Sequence, residues 1–320
     1  MKWKGLTAAC LFCLLLAPGL CLGALEGETG ARDDEGSPRK GTLTSPAGQT
    51  PLLAGLLEKL MDKGSKERKI FEGVTSIISS AAEMDYETEL TIGESLALEG
   101  FRRYGMPVND PALQRYVNLV GCAVARNSLR PAIPYHFVVV DNPLINAFSC
   151  PGGIIFICSG LVRALRTEAQ LACILAHEVA HVGHKHALKS IQRAQFFQGV
   201  GKITAATMEG EKGRQFEQMI GNLQTVLFDR GLDKNMEFEA DLTGMQTAYR
   251  TGYGPNGMIE VLQGLILLQA RSRQKGSWFS THPPPKQRLM KCMSQASRYP
   301  DWKSMAQLPG RFRSYKARLQ

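Results

Sequence analysis

The sequence lacks the features that mark membrane-embedded proteins and cysteine-based metal sites. After residue 24, no stretch approaches the roughly 18 to 20 apolar residues that a transmembrane helix requires. No CxxC pair occurs after residue 24 either, so a zinc site built from cysteines has little support. Apolar residues make up 44% of the 320 residues and charged residues 21%, a balance that excludes a fibrous or wholly disordered chain and fits one or two globular domains.

The N-terminus has the pattern of a secretion signal. Lys2 and Lys4 precede the apolar run Leu6–Leu22, and the small residues Gly23 and Ala24 follow it, where a signal peptidase could cut. We therefore predict that residues 1–24 are a signal peptide and that the protein is exported, to a periplasmic or envelope-associated location.

Two alternatives remain open for this segment. The run is short for an uncleaved anchor and is interrupted by Pro18. Cys21 suggests a lipoprotein, but Leu20 before it is a poor match to the small residue that lipidation requires, so we favour cleavage. Export would permit disulfides, and an odd number of cysteines follows the signal, which leaves at least one thiol unpaired or bonded to another chain: Cys122, Cys150, Cys158, Cys173 and Cys292.

Composition divides the rest of the chain. Residues 25–50 are rich in Gly, Ser, Thr, Pro and charge, which predicts a flexible linker, and residues 51–84 are expected to form a short helical extension. Apolar periodicity then predicts one domain over residues 85–295. Within it, Gln192–Phe228 contains several glycines and is either a mobile lid or an ordinary helical pair.

Positive charge is concentrated in a basic tail, residues 296–320. The chain carries a net charge of +9, and residues 286–320 hold nine Lys or Arg against the single acid Asp301. We expect this tail to be solvated; peripheral contact with an anionic membrane surface or an acidic partner is the alternative. Nucleic acid is a poor fit as a partner for an exported chain.

One helical stretch carries the strongest chemical signal. Thr167–Ser190 contains His177-Glu178-Val179-Ala180-His181 within a run of helix-forming residues. Residues four apart share a helix face, so His177 and His181 can direct two imidazole nitrogens at one metal ion. Glu178 lies beside that face, where a carboxylate can take a proton from a zinc-bound water.

A catalytic zinc needs a third protein ligand, and a later acidic helix offers candidates. Glu237 and Asp241 are again four apart, so one can bind the metal while the other accepts a hydrogen bond from a ligating histidine. Glu239 is expected to point to another face. Without His177 and His181, an ordinary solvated acidic face would be the better interpretation.

These motifs resemble those of the zinc metallopeptidases that include type I CAAX prenyl endopeptidases, HtpX-like proteases and BepA-like proteases of the bacterial envelope. The resemblance covers roughly Glu87 to Met290. It implies that Glu237, the first residue of the E-x-x-A-D motif, is the third zinc ligand and that Asp241 supports the site. Asp233-Lys234 replaces the Ser-Arg pair that often precedes this glutamate. Other matching pieces are Asn146-Ala147-Phe148, Pro151-Gly152-Gly153, Gly252-Tyr253-Gly254-Pro255, Thr281-His282-Pro283 and Arg288.

The predicted fold class is α+β and mainly helical, a zincin-like domain with a small edge β-sheet and an HExxH helix. The β-branched and aromatic runs Tyr135–Val140 and Ile154–Cys158 predict strands. Gly152 and Gly153 would let another backbone approach closely at a sheet edge, which suggests contact with an extended substrate; a plain hairpin turn explains them equally well.

Three further histidines need assignment. His282 could donate a hydrogen bond to the oxyanion of a tetrahedral intermediate or occupy the open metal position in a resting state; a loop histidine packed by the following prolines is the alternative. His184 is too far along the helix to close a metal shell with His177 and His181, so we expect a structural role. His186 matches a histidine common in the resembled family, and its function does not follow from the sequence.

We therefore predict a zinc-dependent endopeptidase with one Zn²⁺ per chain, in which Glu178 activates water and His282 assists. The resemblance implies unfolded or misassembled envelope proteins as substrates. A chaperone-like or latent binding protein with a regulated or weak protease site is the alternative, and a structural zinc protein is a third possibility. An intact Glu178 argues for catalysis over both.

Overall fold

A computed structural model describes residues 85–190, 211–269, 282 and 285–319 of the chain. The predicted signal peptide, linker and N-terminal helical extension lie outside the described residues, as does the first half of the predicted lid. In the part that is described, no helix is both long and apolar enough to cross a membrane.

The described chain is mainly helical and contains a three-stranded sheet, which confirms the predicted fold class. The helices are α1 (Tyr86–Tyr104), α2 (Pro111–Ala125), α3 (Ser159–Ala164), α4 (Glu168–Gly183), α5 (Glu211–Gln224), α6 (Lys234–Arg250), α7 (Asn256–Gln269), α8 (Pro285–Gln295) and α9 (Pro309–Lys316). The strands are β1 (His136–Val140), β2 (Ala147–Cys150) and β3 (Ile154–Cys158), with a 3₁₀ turn at Pro151–Gly153 and a π-helical turn at Thr225–Arg230.

The sheet has the order β1-β3-β2, with β1 parallel and β2 antiparallel to β3. Every strand residue is buried, because helices cover both faces of the sheet. Phe137 and Ile155 belong to a core shared with α2, α4 and α7. Val138 and Phe156 belong to a second core shared with α1, α5 and the π-helical turn. The continuous apolar runs of β1 and β3 therefore reflect burial on both faces.

Side chains complete the outer edge of β1. Gln114 and Asn118 are four apart on α2 and both are buried. The Gln114 amide accepts from the Val139 N–H (3.0 Å) and donates to the Val139 carbonyl (2.7 Å). Asn118 makes the equivalent pair of bonds with Phe137 at 3.2 and 2.6 Å. The two amides take the place of a neighbouring strand, so this edge carries no unsatisfied backbone groups that another chain could pair with.

The basic C-terminal segment is docked, and the prediction of a solvated tail is wrong for residues up to 319. Phe312 on α9 is fully buried in the core with α2 and α4. Tyr315 stacks on Tyr116 with ring centroids 4.0 Å apart. Arg311 pairs with the buried carboxylate of Glu168 at the start of α4, one of its bonds being 2.6 Å long. Arg318 in turn donates to Asp110 at 2.8 Å. Arg311 and Arg318 thus each neutralise an acidic residue of the domain.

We predict that Phe312→Ala lowers the free energy of unfolding by about 3 to 5 kcal/mol, because it removes a buried aromatic side chain and leaves a cavity. Urea denaturation followed by circular dichroism measures the change. Lys303→Ala, which alters a residue exposed in the same segment, is the control and should leave the midpoint nearly unchanged. Equal stability of the two variants would contradict the docked arrangement.

Candidate metal centre

Helix α4 forms the buried centre of the domain. Thr167 caps it, its hydroxyl accepting from the Gln170 N–H at 3.2 Å, as the capping pattern predicts. In a capping box, the side chain of Gln170 would accept from the N–H of Thr167 itself. Here it accepts instead from the N–H of Arg166, one residue earlier, at 2.7 Å. All residues from Glu168 to Val182 are buried, which requires partners for every polar side chain on this helix.

The two histidines of α4 meet on one face of the helix. His177 Nε2 and His181 Nε2 lie 3.0 Å apart, and both rings are buried. Glu237 on α6 faces them, with its carboxylate oxygens 3.6 Å from His177 Nε2 and 3.5 Å from His181 Nε2. Gly244 allows the two helices to come this close, since a Cβ at that position would lie 3.0 Å from the His177 backbone nitrogen. The structure thus brings His177, His181 and Glu237 together.

The chemistry of these side chains fits a bound cation. Neither oxygen of Glu237 accepts a hydrogen bond in the described structure, although Oε2 lies 3.1 Å from the guanidinium of Arg288. Oε1 of Glu178 accepts none either, and all three carboxylate oxygens are buried. Buried carboxylates without donors are costly unless a positive charge satisfies them. Three buried carboxylates, those of Glu178, Glu237 and Asp241, share this region with one buried guanidinium, that of Arg288, which contacts Glu237 and Asp241. A divalent ion at the histidine pair would balance this excess of negative charge.

Asp241 and Arg288 support the ligands from behind. Asp241 Oδ1 lies 3.1 Å from His177 Nδ1, so a proton on Nδ1 leaves the Nε2 lone pair directed at the metal position. Arg288, fully buried on α8, donates two hydrogen bonds to Asp241, at 2.7 and 2.6 Å, and its Nη1 lies 3.1 Å from Glu237. Burial alone would raise the pKa of Asp241, but Arg288 outweighs it and holds that pKa at about 2.

The carboxylates of Asp241 and Glu237 also shift the pKa of His177. Burial and Arg288 lower the pKa of His177, but Asp241 and Glu237 outweigh them and raise it to about 9 in the metal-free protein. Burial strongly lowers the pKa of His181, with the neighbouring charge of His177 acting in the same direction. In the metal-free protein, His177 therefore attracts a proton while His181 excludes one.

Glu178 lies beside the ligands and His282 lies across from it. Burial raises the pKa of Glu178 to about 7, and the charge of Glu237 adds to this, while a hydrogen bond from Ser149 opposes it. His282 Nε2 is 3.9 Å from Glu178 Oε1 and 3.9 Å from Glu237 Oε2. The ligand atoms of His177, His181, Glu237 and His282 all lie within 4.8 Å of one another. His282 therefore borders the same space as the other three.

His186, Glu239 and His184 lie outside this group of four side chains. His186 Nδ1 lies 2.8 Å from His181 Nδ1, so His186 orients a predicted ligand. Glu239 does not reach the ligand set; it contacts His186 and His184 on the other side. His184 terminates α4 as its C-cap and lies beside His186.

Gly152 and Gly153 sit in a buried turn beneath α1. The Gly152 N–H donates to Glu89 (3.0 Å), and its carbonyl accepts from the Tyr86 hydroxyl (3.1 Å). Gly152 has φ 78°, in the left-handed region that favours glycine. This geometry favours the turn interpretation for both glycines. The strand that forms an edge of the sheet on the side of Glu178 is β2, whose Ser149 lies close enough to the Glu178 carboxyl group to lower its pKa.

Sequence reasoning did not assign roles to Arg288, Ser149 or His186. Arg288 is one of the positions that match the resembled family, but its contact with Asp241 and Glu237 exists only because α6 and α8 pack together. Ser149 is a single polar residue in an apolar strand, and that exception to the pattern was the available signal. His186 was visible as part of a local concentration of histidines.

A mainly helical domain that carries an HExxH helix and a glutamate from a second helix is the architecture of a metallopeptidase. Residues 111–295, more than half of the chain, match Peptidase family M48. The chain belongs to this family, whose members are metal-dependent.

Named relatives agree with this assignment. The chain is similar to the beta-barrel assembly-enhancing proteases of Yersinia pestis, at 29% identity over 68% of this chain and 46% of the relative, and of Escherichia coli (strain K12), at 29% over 59% and 40%. It is also similar to the Bos taurus protein named metalloendopeptidase OMA1, mitochondrial, at 30% identity over 45% of this chain and 29% of the relative. The chain thus spans less than half the length of these relatives.

We predict that Asp241→Asn weakens metal binding about 10- to 100-fold, as loss of a partner that orients a ligating histidine typically does. The amide loses the negative charge that favours the Nδ1–H form of His177. Competition with a chromophoric chelator measures the affinity of the purified protein for Zn²⁺. Asp229→Asn, at a carboxylate that is 53% exposed, is the matched control and should bind like the parent. An unchanged affinity in Asp241→Asn would contradict the assigned contact.

Proposed function

We propose that this protein is a zinc-dependent endopeptidase whose metal is held by His177, His181 and Glu237. The observation that carries the proposal is the set of buried carboxylate oxygens without hydrogen-bond donors, two on Glu237 and one on Glu178, around a pair of converging imidazoles. A nitrogen and carboxylate donor set of this kind suits zinc, and three protein ligands leave a position open for water. Membership of a metallopeptidase family supports it.

Zinc in such a site acts as a Lewis acid that lowers the pKa of water to about 7, so no serine or cysteine nucleophile is needed. Glu178 accepts the proton of the attacking water and passes it to the leaving amine. Burial raises the pKa of Glu178 to about 7 in the metal-free protein. A bound cation would lower that pKa and keep Glu178 ionised, as a group that accepts a proton requires. Asp241 and Arg288 keep His177 in the form that presents Nε2, and His186 does the same for His181.

His282 and strand β2 complete the proposed site. His282 Nε2 borders the space between Glu178 and Glu237, from which it can donate to the oxyanion of the tetrahedral intermediate. Strand β2 is the edge strand on the side of Glu178, and an extended peptide can add to such an edge through main-chain hydrogen bonds. That mode of binding selects substrates that are locally unfolded.

The proposed biological setting follows from the relatives and the N-terminal sequence. The relatives from Yersinia pestis and Escherichia coli are named as proteases that enhance β-barrel assembly. Together with the signal-like pattern of residues 1–24, this supports an exported, envelope-associated protease that removes unfolded or misassembled proteins.

One observation favours a second candidate function. The donor atoms of His282 lie within 4.8 Å of those of His177, His181 and Glu237, so His282 can close a shell of four protein ligands. A closed shell describes a latent protease or a chaperone-like binding protein with a regulated site, and equally a structural zinc protein.

We predict that Glu178→Gln abolishes most of the cleavage of unfolded casein while keeping one zinc per chain. Loss of a general base typically lowers the rate about 10²- to 10⁴-fold, whereas the amide leaves the three ligands in place. The measurement pairs zinc content by atomic spectroscopy with casein hydrolysis, using the chain from which residues 1–24 have been removed.

Glu87→Gln makes the same chemical change at an exposed position on α1 and should cleave like the parent. If the parent and Glu178→Gln both hold zinc and neither cleaves, the site is latent or structural. His282→Ala then separates these two, because opening the fourth position restores cleavage only in a latent protease.

A further inference from the structure

A second group of metal-binding side chains lies on the far side of His181. His184, His186 and Glu239 each offer one donor atom, and these atoms lie within 4.8 Å of one another. Glu239 Oε1 is 3.3 Å from His184 Nδ1, and Glu239 Oε2 is 3.1 Å from His186 Nε2. The two imidazole rings are nearly parallel, with an angle of 9° and centroids 5.1 Å apart. Two nitrogens and a carboxylate thus converge on one small space.

The other nitrogen of each ring is held by a neighbour. His184 Nε2 lies 2.9 Å from the Thr243 hydroxyl, and His186 Nδ1 lies 2.8 Å from His181 Nδ1. Metal-ligating histidines characteristically use one nitrogen for the ion and the other for a fixed hydrogen bond, which sets the ring orientation. Both rings already have that arrangement.

The backbone between the two histidines is strained. Lys185 has φ 54°, one of two non-glycine residues with a positive φ in the described chain. Such a conformation is unfavourable for a residue with a side chain, and it persists where the surroundings or a function require it. This turn ends α4 and brings His186 back beside both His181 and His184.

We propose that His184, His186 and Glu239 form a second metal site, for a divalent transition-metal ion of the zinc type. Imidazole nitrogen with one carboxylate suits Zn²⁺, Cu²⁺ and Ni²⁺ better than Mg²⁺ or Ca²⁺, which prefer all-oxygen shells. The Glu239 side chain is 50% exposed, so water can complete the shell and ions can enter from solvent. Lys189 carries a positive charge close to both histidines, which makes this site weaker than the buried one.

Isothermal titration of the metal-free, untagged protein with Zn²⁺ tests the second site. We expect two binding events in the parent, a tight one and a weaker one. His184→Ala and Glu239→Gln should keep the first event and lose the second, and Asp229→Asn, a similarly exposed carboxylate, should keep both. Thr243→Val, which removes only the hydroxyl that holds His184, should weaken the second event about 10- to 100-fold. A single event in the parent, or a second event retained in both site variants, would overturn the proposal.

Failure of the proposed function has a different signature from failure of the second site. Failure of the proposed function removes the tight event or the effect of Glu178→Gln, whereas failure of the second site removes only the weaker event.

Discussion

The buried contact of Arg288 with Asp241 and Glu237 is the interaction on which the metal centre depends. A guanidinium on α8 neutralises part of the charge of two carboxylates on α6, and one of these fixes the ring of His177 on α4. Removing any one of these charges would leave the others buried and unpaired, which is far more costly than losing an exposed ion pair. The network therefore fixes the relative position of three helices as well as the form of one histidine.

The rest of the domain keeps α4 in place. The helix is buried from Glu168 to Val182 between α2, α6 and α7, and the sheet lies beside it. Its first residue, Glu168, accepts hydrogen bonds from Tyr116, Tyr253 and Arg311. Burial would raise the pKa of this carboxyl group, but Arg311 and the two tyrosines outweigh it and hold the pKa below its usual value. A carboxylate at the helix N-terminus also interacts favourably with the helix dipole.

The sequence was most informative where chemistry follows from local spacing. The i, i+4 placement of His177 and His181 and the β-branched strands depend on residues close together in the chain, and the structure has them where they were predicted. The helical stretch predicted to run to Ser190 is interrupted, because the helix ends at Gly183 and Lys185 has a positive φ. The roles of residues that meet only through tertiary packing could not be predicted from local spacing. Arg288 meets Asp241 across 47 positions.

Charge content was also a misleading guide for the C-terminal segment. Its many lysines and arginines suggested solvation, but Phe312, Tyr315 and Leu319 recur at helical spacing and pack against the domain. Likewise, the paired glycines of the 3₁₀ turn could mark either a turn or a substrate contact. Only the partners of Gly152 on α1, Glu89 and Tyr86, favour the turn.

The docking of α9 on Glu168 has a consequence for the order in which the protein matures. His177, His181, Glu237 and Arg288 all precede Arg311 in the chain. A growing chain that has reached residue 300 therefore contains every proposed metal ligand, yet the carboxylate at the start of the ligand helix still lacks its guanidinium partner. Tyr116 and Tyr253 can already donate to that carboxylate, but its cation is still missing, so the start of the ligand helix reaches its full stability only once α9 has been added.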